Sequence, residues 1–138
     1  MKIAVDFDGT IVEHKYPAIG RPLLFAFETL KKLQEQQHQL ILWTYRSGKE
    51  LDDAVEFCRK NGIEFYAVNK NYPEEVFEEE TVSRKISADY YIDDRNICGL
   101  PSWGEIWQII HPELNPTISN ERKNLPPRRK VLGRLFGR

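Results

Sequence analysis

Asp6 and Asp8 are the first residues of this chain with the chemistry of a reactive site. They follow the apolar run Ile3-Ala4-Val5 and precede Gly9-Thr10. An apolar run closed by a glycine predicts a buried strand that stops at that point. Side chains alternate along a strand, so both carboxylates point to one side and Phe7 to the other. Short acids at a strand end can simply cap a turn, but two more strand ends are polar in the same way. Leu40-Ile41-Leu42-Trp43 runs into Thr44, and Tyr90-Tyr91-Ile92 runs into Asp93-Asp94. Four carboxylates sharing one crevice repel one another and raise their own pKa values unless a cation sits among them. An all-oxygen donor set with no Cys or His cluster suits Mg²⁺ rather than zinc. With the charge part-neutralised, a carboxylate can attack an anionic phosphate and form an aspartyl-phosphate. A second acid two residues on can protonate the leaving oxygen and then activate water. Phosphate monoesters are among the slowest compounds to hydrolyse unaided, with enzymic accelerations of up to ~10²¹, so charge stabilisation must be extensive. A lysine and a hydroxyl on the phosphoryl oxygens are therefore expected.

The elements that must position these groups alternate in type. Pro22 opens a helical pattern in which Leu23, Ala26, Phe27, Leu30 and Leu33 share a face. The strand at 40–44 follows. Ser47 and Glu50 have the spacing of a capping box before a second helix with Leu51, Ala54, Val55 and Cys58 inward, stopped near Asn61-Gly62. Ile63–Val68 and Asp89–Asp93 read as the third and fourth strands. After Gly99-Leu100-Pro101, Trp103, Ile106, Trp107 and Ile110 make a last helical stripe, and their tryptophans read as core. Strands alternating with helices predict an α/β fold, a three-layer Rossmann-like parallel sheet with helices on both faces. Right-handed crossovers put the carboxyl ends of the strands on one edge, where open α/β sheets bind ligands. Asp6, Asp8, Thr44, Asn69, Asp93 and Asp94 all fall at that edge.

With 138 residues, 41% apolar and 30% charged, the chain has the make-up of an ordinary globular protein with a core of its own. Cys58 and Cys98 have no metal-ligand spacing and read as free thiols of a cytoplasmic protein. No signal-peptide pattern precedes the first strand, and no apolar run approaches a membrane span. The net charge of −1 conceals an asymmetry. Seven basic residues from Arg122 to Arg138 face only Glu121, while the 120 residues before it carry 13 basic and 20 acidic ones. The expected organisation is a catalytic domain over 1–113 and a basic, disordered tail over 114–138, with Pro116, Pro126 and Pro127.

From Lys2 to about Ile110 the sequence resembles the haloacid dehalogenase superfamily of phosphohydrolases. Asp6-Phe7-Asp8-Gly9-Thr10 is similar to that superfamily's first motif, Thr44 to its second, Lys85 to the third-motif lysine and Asp93-Asp94 to the fourth. The resemblance implies Asp6 as nucleophile and Asp8 as general acid/base. It implies Thr44 as the hydroxyl that binds the transferred phosphoryl group, and Lys85, in preference to Lys70, as the phosphate-binding lysine. Mg²⁺ would be held by Asp6, Asp93 and Asp94 and by Asp8, the last through its backbone carbonyl. An acid at position 8 resembles the phosphatases and phosphotransferases of the superfamily, not the dehalogenases. Eleven residues between Thr10 and Pro22, and a second helix that runs straight into the third strand, leave no room for a large cap domain, as in the capless group.

Specificity is then expected at the rim. His14, Lys15, Arg46 and Arg95 are candidate substrate contacts. The segments Glu13–Arg21 and Asn71–Glu80 are candidate partial lids, the second carrying five glutamates. The reading is a Mg²⁺-dependent phosphomonoester hydrolase acting on a small phosphorylated metabolite or a phosphorylated macromolecule. Homo-oligomers are left open, membrane partners are not expected, and nucleic acid through the basic tail ranks below solvation of that tail. The alternatives are a phosphoryl-accepting switch and a catalytically silent binding protein of the same fold. Receiver-type switches, however, carry the acidic pair on the first strand and the acceptor on a middle one.

Overall fold

The computed structural model describes residues 1–114. Four strands form one parallel sheet: β1 (Lys2–Val5), β2 (Gln39–Leu42), β3 (Ala67–Val68) and β4 (Tyr90–Ile92), in the order β3-β2-β1-β4. The register sets Ala4 beside Ile41 and Tyr91, and Ile41 beside Ala67. The helices are α1 (Ala26–Glu35), α2 (Gly48–Lys60) and α3 (Trp103–Ile110). Met1–Trp107 form one compact unit, and a separate unit begins at Gln108 with the end of α3 and a 3-10 turn at Pro112–Leu114. The basic tail lies outside the described residues. No helix among the described residues is long and apolar enough to cross a membrane.

Strand alternation divides the core. Ile3, Val5, Leu40 and Leu42 are fully or almost fully buried on one face. The α1 stripe of Ala26, Phe27, Leu30 and Leu33 is buried as its spacing predicts, and Phe57 of α2 meets both Phe27 of α1 and Phe7. The Thr29 hydroxyl of α1 donates to the carbonyl of Trp103, so α3 starts beside α1. On the other face Ala4, Ile41 and Ala67 pack with Ile86, flanked by Trp43, Tyr66, Ala88 and Tyr91. The sheet is flanked by helices, but among the described residues the layer on this second face is irregular chain. The connection from β3 to β4 crosses it without a helix, because Pro73 and five closely spaced glutamates leave no apolar stripe to dock one.

Other expectations shift locally. Pro22 does not open α1; it pairs with Val12 in an isolated bridge, and the Leu23 amide donates to Ile11. The chain is tied back to the first loop before Phe25, at φ 63°, starts the helix. Ser47 is the N-cap of α2 but makes no side-chain capping bond. Helix α2 ends at Asn61-Gly62 as expected, and Gly62 takes φ +86° there. The third strand is shorter than 63–68, because the Ile63 amide still closes α2 on Cys58. Cys58 is buried and Cys98 exposed, both as free thiols.

Candidate active site

The strands end in a common edge, and the loops leaving it carry the polar residues. The Asp6 amide donates to Ile92 of β4, which extends the β1–β4 pairing one residue beyond the strand and brings Asp6 beside Asp93. Oxygen atoms of Asp6, Asp93 and Asp94 lie within 4.8 Å of one another. After Asp6 the chain folds over in a tight turn, with the Thr10 and Ile11 amides both donating to the Phe7 carbonyl. That turn buries Thr10 completely.

Thr10 organises the acids. Its hydroxyl lies 3.2 Å from Asp6 Oδ2 and 3.3 Å from Asp94 Oδ1, and it accepts the Asp94 amide at 3.1 Å. A hydroxyl has one proton, so it donates to one of the two carboxylates at a time. Its own carbonyl accepts the Trp103 indole N–H at 3.0 Å. Trp103 is thus core, as its spacing suggests, and also an anchor for the acidic loop. Gly9 takes φ +78°, and a Cβ there would stand 2.3 Å from Asp94 Oδ2. Only glycine lets the Asp94 carboxylate come so close to the turn.

Burial is the largest influence on the Asp6 carboxyl and raises its pKa; the Phe7 amide lowers it, Asp93 and Asp94 raise it further, and Thr10 lowers it. The outcome is a carboxyl pushed up from 3.8 to about 7. Crowded carboxylates with this mutual repulsion form a site that a cation would relieve. Three carboxylates with no nitrogen or sulfur donor among them fit a hard cation of the Mg²⁺ kind.

The Asp8 carboxylate stands apart from this group. Arg46 grips it with a two-point fork, Nε to Oδ2 at 2.7 Å and Nη2 to Oδ1 at 2.8 Å. The remaining Arg46 donors go to the carbonyls of Pro17, Ala18 and Glu50. Its guanidinium lies 5.1 Å from the ring centroids of both Phe7 and Tyr16. All five N–H donors are thereby engaged, and the Arg46 side chain is 1% exposed. Arg46 therefore holds Asp8 and the first loop, and has no donor left over for a substrate. The side chain of Asp8 is likewise an Arg46 partner and not a member of the three-carboxylate cluster.

A cavity of about 700 Å³ opens over these residues, lined by Asp6, Asp8, Asp93, Thr44 and Arg46, by His14 and Arg95, and by the aromatic residues Tyr16, Trp43 and Tyr45. Thr44 is fixed by two bonds: its amide donates to Asn69 Oδ1, and its hydroxyl accepts the Arg46 amide. His14 and Arg95 are exposed on the cavity wall, whereas Lys15 is exposed and off it. Arg21 is paired with Glu13. Lys85 is not in the wall. Its ammonium lies 5.2 Å from the Tyr91 ring, which packs at 5.4 Å on Trp43 of the wall. Lys70 lines a separate surface groove along α2. No residue from 71–80 lines the cavity, and Glu75 there binds the Asn71 amide and carboxamide.

Sequence reasoning missed the bonds made by Thr10 and the ring wall of Tyr16, Trp43 and Tyr45. The signal for the rings was present, since Trp43 and Tyr45 flank Thr44 directly.

Fold and site together define an α/β protein with a small parallel sheet, Rossmann-like, whose carboxyl edge carries an aspartate cluster able to coordinate a metal ion. No large cap domain is present among the described residues. No protein-family model and no curated protein matches the chain. Among solved structures it matches the conserved protein coded by a locus of Bacteroides thetaiotaomicron, at 57% identity and a TM-score of 0.77, over 82% of this chain and 91% of that one. The chain belongs to the family of that conserved protein.

Proposed function

We propose that the chain is a Mg²⁺-dependent phosphomonoester phosphatase of the haloacid dehalogenase type, acting through an aspartyl-phosphate on Asp6. The observation that carries this reading is the convergence of Asp6, Asp93 and Asp94 within 4.8 Å, with Asp6 and Asp93 lining an open cavity and Asp8, two residues from Asp6, in its wall. Asp6, Asp93 and Asp94 would hold the cation, with the Asp8 backbone carbonyl as a further ligand. The cation supplies charge neutralisation, so that an anionic phosphate and a carboxylate can approach.

An Asp6 oxygen attacks phosphorus, the bond to the leaving oxygen breaks, and Asp8, which must first take up a proton and release one arm of the Arg46 fork, gives that oxygen its proton. Water then attacks phosphorus, Asp8 takes the water's proton, and inorganic phosphate leaves with the Asp6 carboxylate restored. Thr10 positions Asp6 and Asp94, and Arg46 orients Asp8. Thr44 is the hydroxyl for the phosphoryl oxygens. Lys85 acts in this reading only after a rearrangement that brings its ammonium into the cavity, while His14 and Arg95 are already on the wall to meet an anion.

The test is phosphate release from phenyl phosphate by the full chain, with Mg²⁺ and with EDTA. Release that needs Mg²⁺ and drops at least ~10³-fold in Asp6→Asn is the expected result. Turnover undiminished in Asp6→Asn, or none in the wild type on any ester, removes the proposal.

A further inference from the structure

The cavity's chemistry extends beyond its acids. Three aromatic residues line it, and two of them are held by the protein. Trp43 directly follows β2, its amide donating to Val5 at 2.9 Å, and its indole is backed by Tyr91 at 5.4 Å. Tyr16 rests on the Arg46 guanidinium at 5.1 Å, and that group is itself backed by Phe7 at the same distance. Both rings are thus fixed before any ligand arrives, which lowers the ordering cost of binding. Tyr45 is different: it lines the same cavity yet is fully exposed. A tyrosine left that open within a cavity wall has apolar surface for a ligand to cover.

The polar side of the wall narrows the choice further. Beyond the aspartates of the cluster, Asp8, Thr44 and Arg46, the described wall offers His14 and Arg95. No Asn, Gln or Glu lines it. Asp8 and Arg46 are committed to each other, and the carboxamides, which donate and accept from one rigid group, are absent from the described wall. A planar ring needs only faces to stack on, and those are supplied. The volume of about 700 Å³ lies in the range of pockets that take small molecules.

We infer that the site takes phosphomonoesters whose leaving group carries an aromatic or heteroaromatic ring, with Trp43, Tyr16 and Tyr45 as the residues that select it. This rests on the phosphatase reading for turnover, but the ring-binding wall can be measured without it. Stacking of a nucleic-acid base on an aromatic side chain is sequence-tolerant and is worth roughly tenfold or more in affinity per ring, so the three rings give selectivity without specific hydrogen bonds.

Two measurements test it on the full chain with Mg²⁺. Calorimetric titration with phenylphosphonate and methylphosphonate, neither of which can be hydrolysed, reads the ring wall alone. Phenylphosphonate is expected to bind at least about tenfold more tightly, and the ratio should fall towards one in Tyr45→Ala, whose exposed side chain can be removed without touching the core, and in Tyr16→Ala. Equal affinities in the wild type, or an unaltered ratio in both variants, overturns the inference. In parallel, kcat/KM is compared for phenyl phosphate, a nucleoside 5′-monophosphate, ribose 5-phosphate and glycerol 2-phosphate. The two ring-bearing esters should lead, and their order separates a ring bonded to the phosphate oxygen from one a sugar away. Equal turnover of all four overturns the inference and leaves the phosphatase standing. Absence of turnover on all four overturns the phosphatase, while the phosphonate ratio still decides the ring wall.

Discussion

Replacing Asp6 by Asn should stabilise the metal-free protein at pH 8 and change almost nothing at pH 4. The native Asp6 carboxyl keeps its proton until about pH 7, whereas the ordinary value is 3.8. Between these values the unfolded chain binds fewer protons at this group than the native chain does. Stability from Asp6 is therefore fully present below about pH 4 and is lost as pH rises through 7, after which it stays flat. A shift of this size corresponds to ~4 kcal/mol at most, at 1.36 kcal/mol per unit. Solvent reaches part of the group, and screening reduces the figure to ~2 kcal/mol. For a domain of this length that is a melting-temperature difference of roughly 6–10 °C. The assay is thermal unfolding of wild type and Asp6→Asn in EDTA at half-unit steps from pH 4 to 8. Groups common to both proteins, the histidines included, cancel in the difference. Asn keeps the shape and can still accept from Thr10, but it carries no charge for Asp93 and Asp94 to repel. The difference should open between about pH 4 and 7 and stay flat above that, and saturating Mg²⁺ should close it by stabilising the wild type more than the variant. Melting curves that stay parallel across that range refute the claim that burial, with Asp93 and Asp94 beside it, holds a proton on Asp6.

Two further substitutions probe the scaffold. Gly9→Ala sets a Cβ against Asp94 Oδ2 at a positive φ, so Mn²⁺ affinity, read by electron paramagnetic resonance as a stand-in for Mg²⁺, should fall at least ~10-fold with ~1–3 kcal/mol of stability; wild-type affinity would show that Asp94 is no ligand. Arg46→Met keeps the volume but strands the Asp8 carboxylate, and chemical denaturation should report a loss of ~3 kcal/mol, with kcat falling more than KM changes; a variant as stable and as active as wild type would show that the fork positions nothing.

What could be read from the residues depended on how local its cause was. Asp6 at the end of β1 and Asp93-Asp94 after β4 follow from apolar runs that end in acids, and the parallel sheet follows from alternating patterns. The shared edge is then a matter of handedness. Arg46 was read as a substrate contact because nothing near it in sequence reveals its partner: Asp8 is 38 residues away and enters only once β1 and β2 pair. Thr10 lay inside the first motif, but its bonds to Asp94 span 84 residues. Helix α1 starts four residues later than Pro22 because long-range bonds to Ile11 and Val12 outweigh a local preference. The missing crossover helix was legible in principle, since 70–88 has no apolar stripe, but alternation elsewhere made a third layer the natural expectation.

The geometry of Arg46 also changes what the first rim segment can be. As a lid, Glu13–Arg21 would swing freely between solvent and cavity. Instead the Pro17 and Ala18 carbonyls are bound by the same guanidinium that forks onto Asp8, and the Tyr16 ring stacks on it. Hydrogen bonds from a charged donor are worth ~1.5–3 kcal/mol each, so the segment cannot lift at Pro17 and Ala18 without loosening the group that orients Asp8. The loop carrying His14 and Tyr16, the acid Asp8 and the start of α2 are thus one mechanical unit with Arg46 at its hub. A ligand that presses on Tyr16 would act on the same residue that holds Asp8, the proton-transfer acid of the proposed reaction. In the proposed reaction, recognition at the rim and chemistry at the acids would be coupled through this one side chain, without any need for a cap domain to connect them.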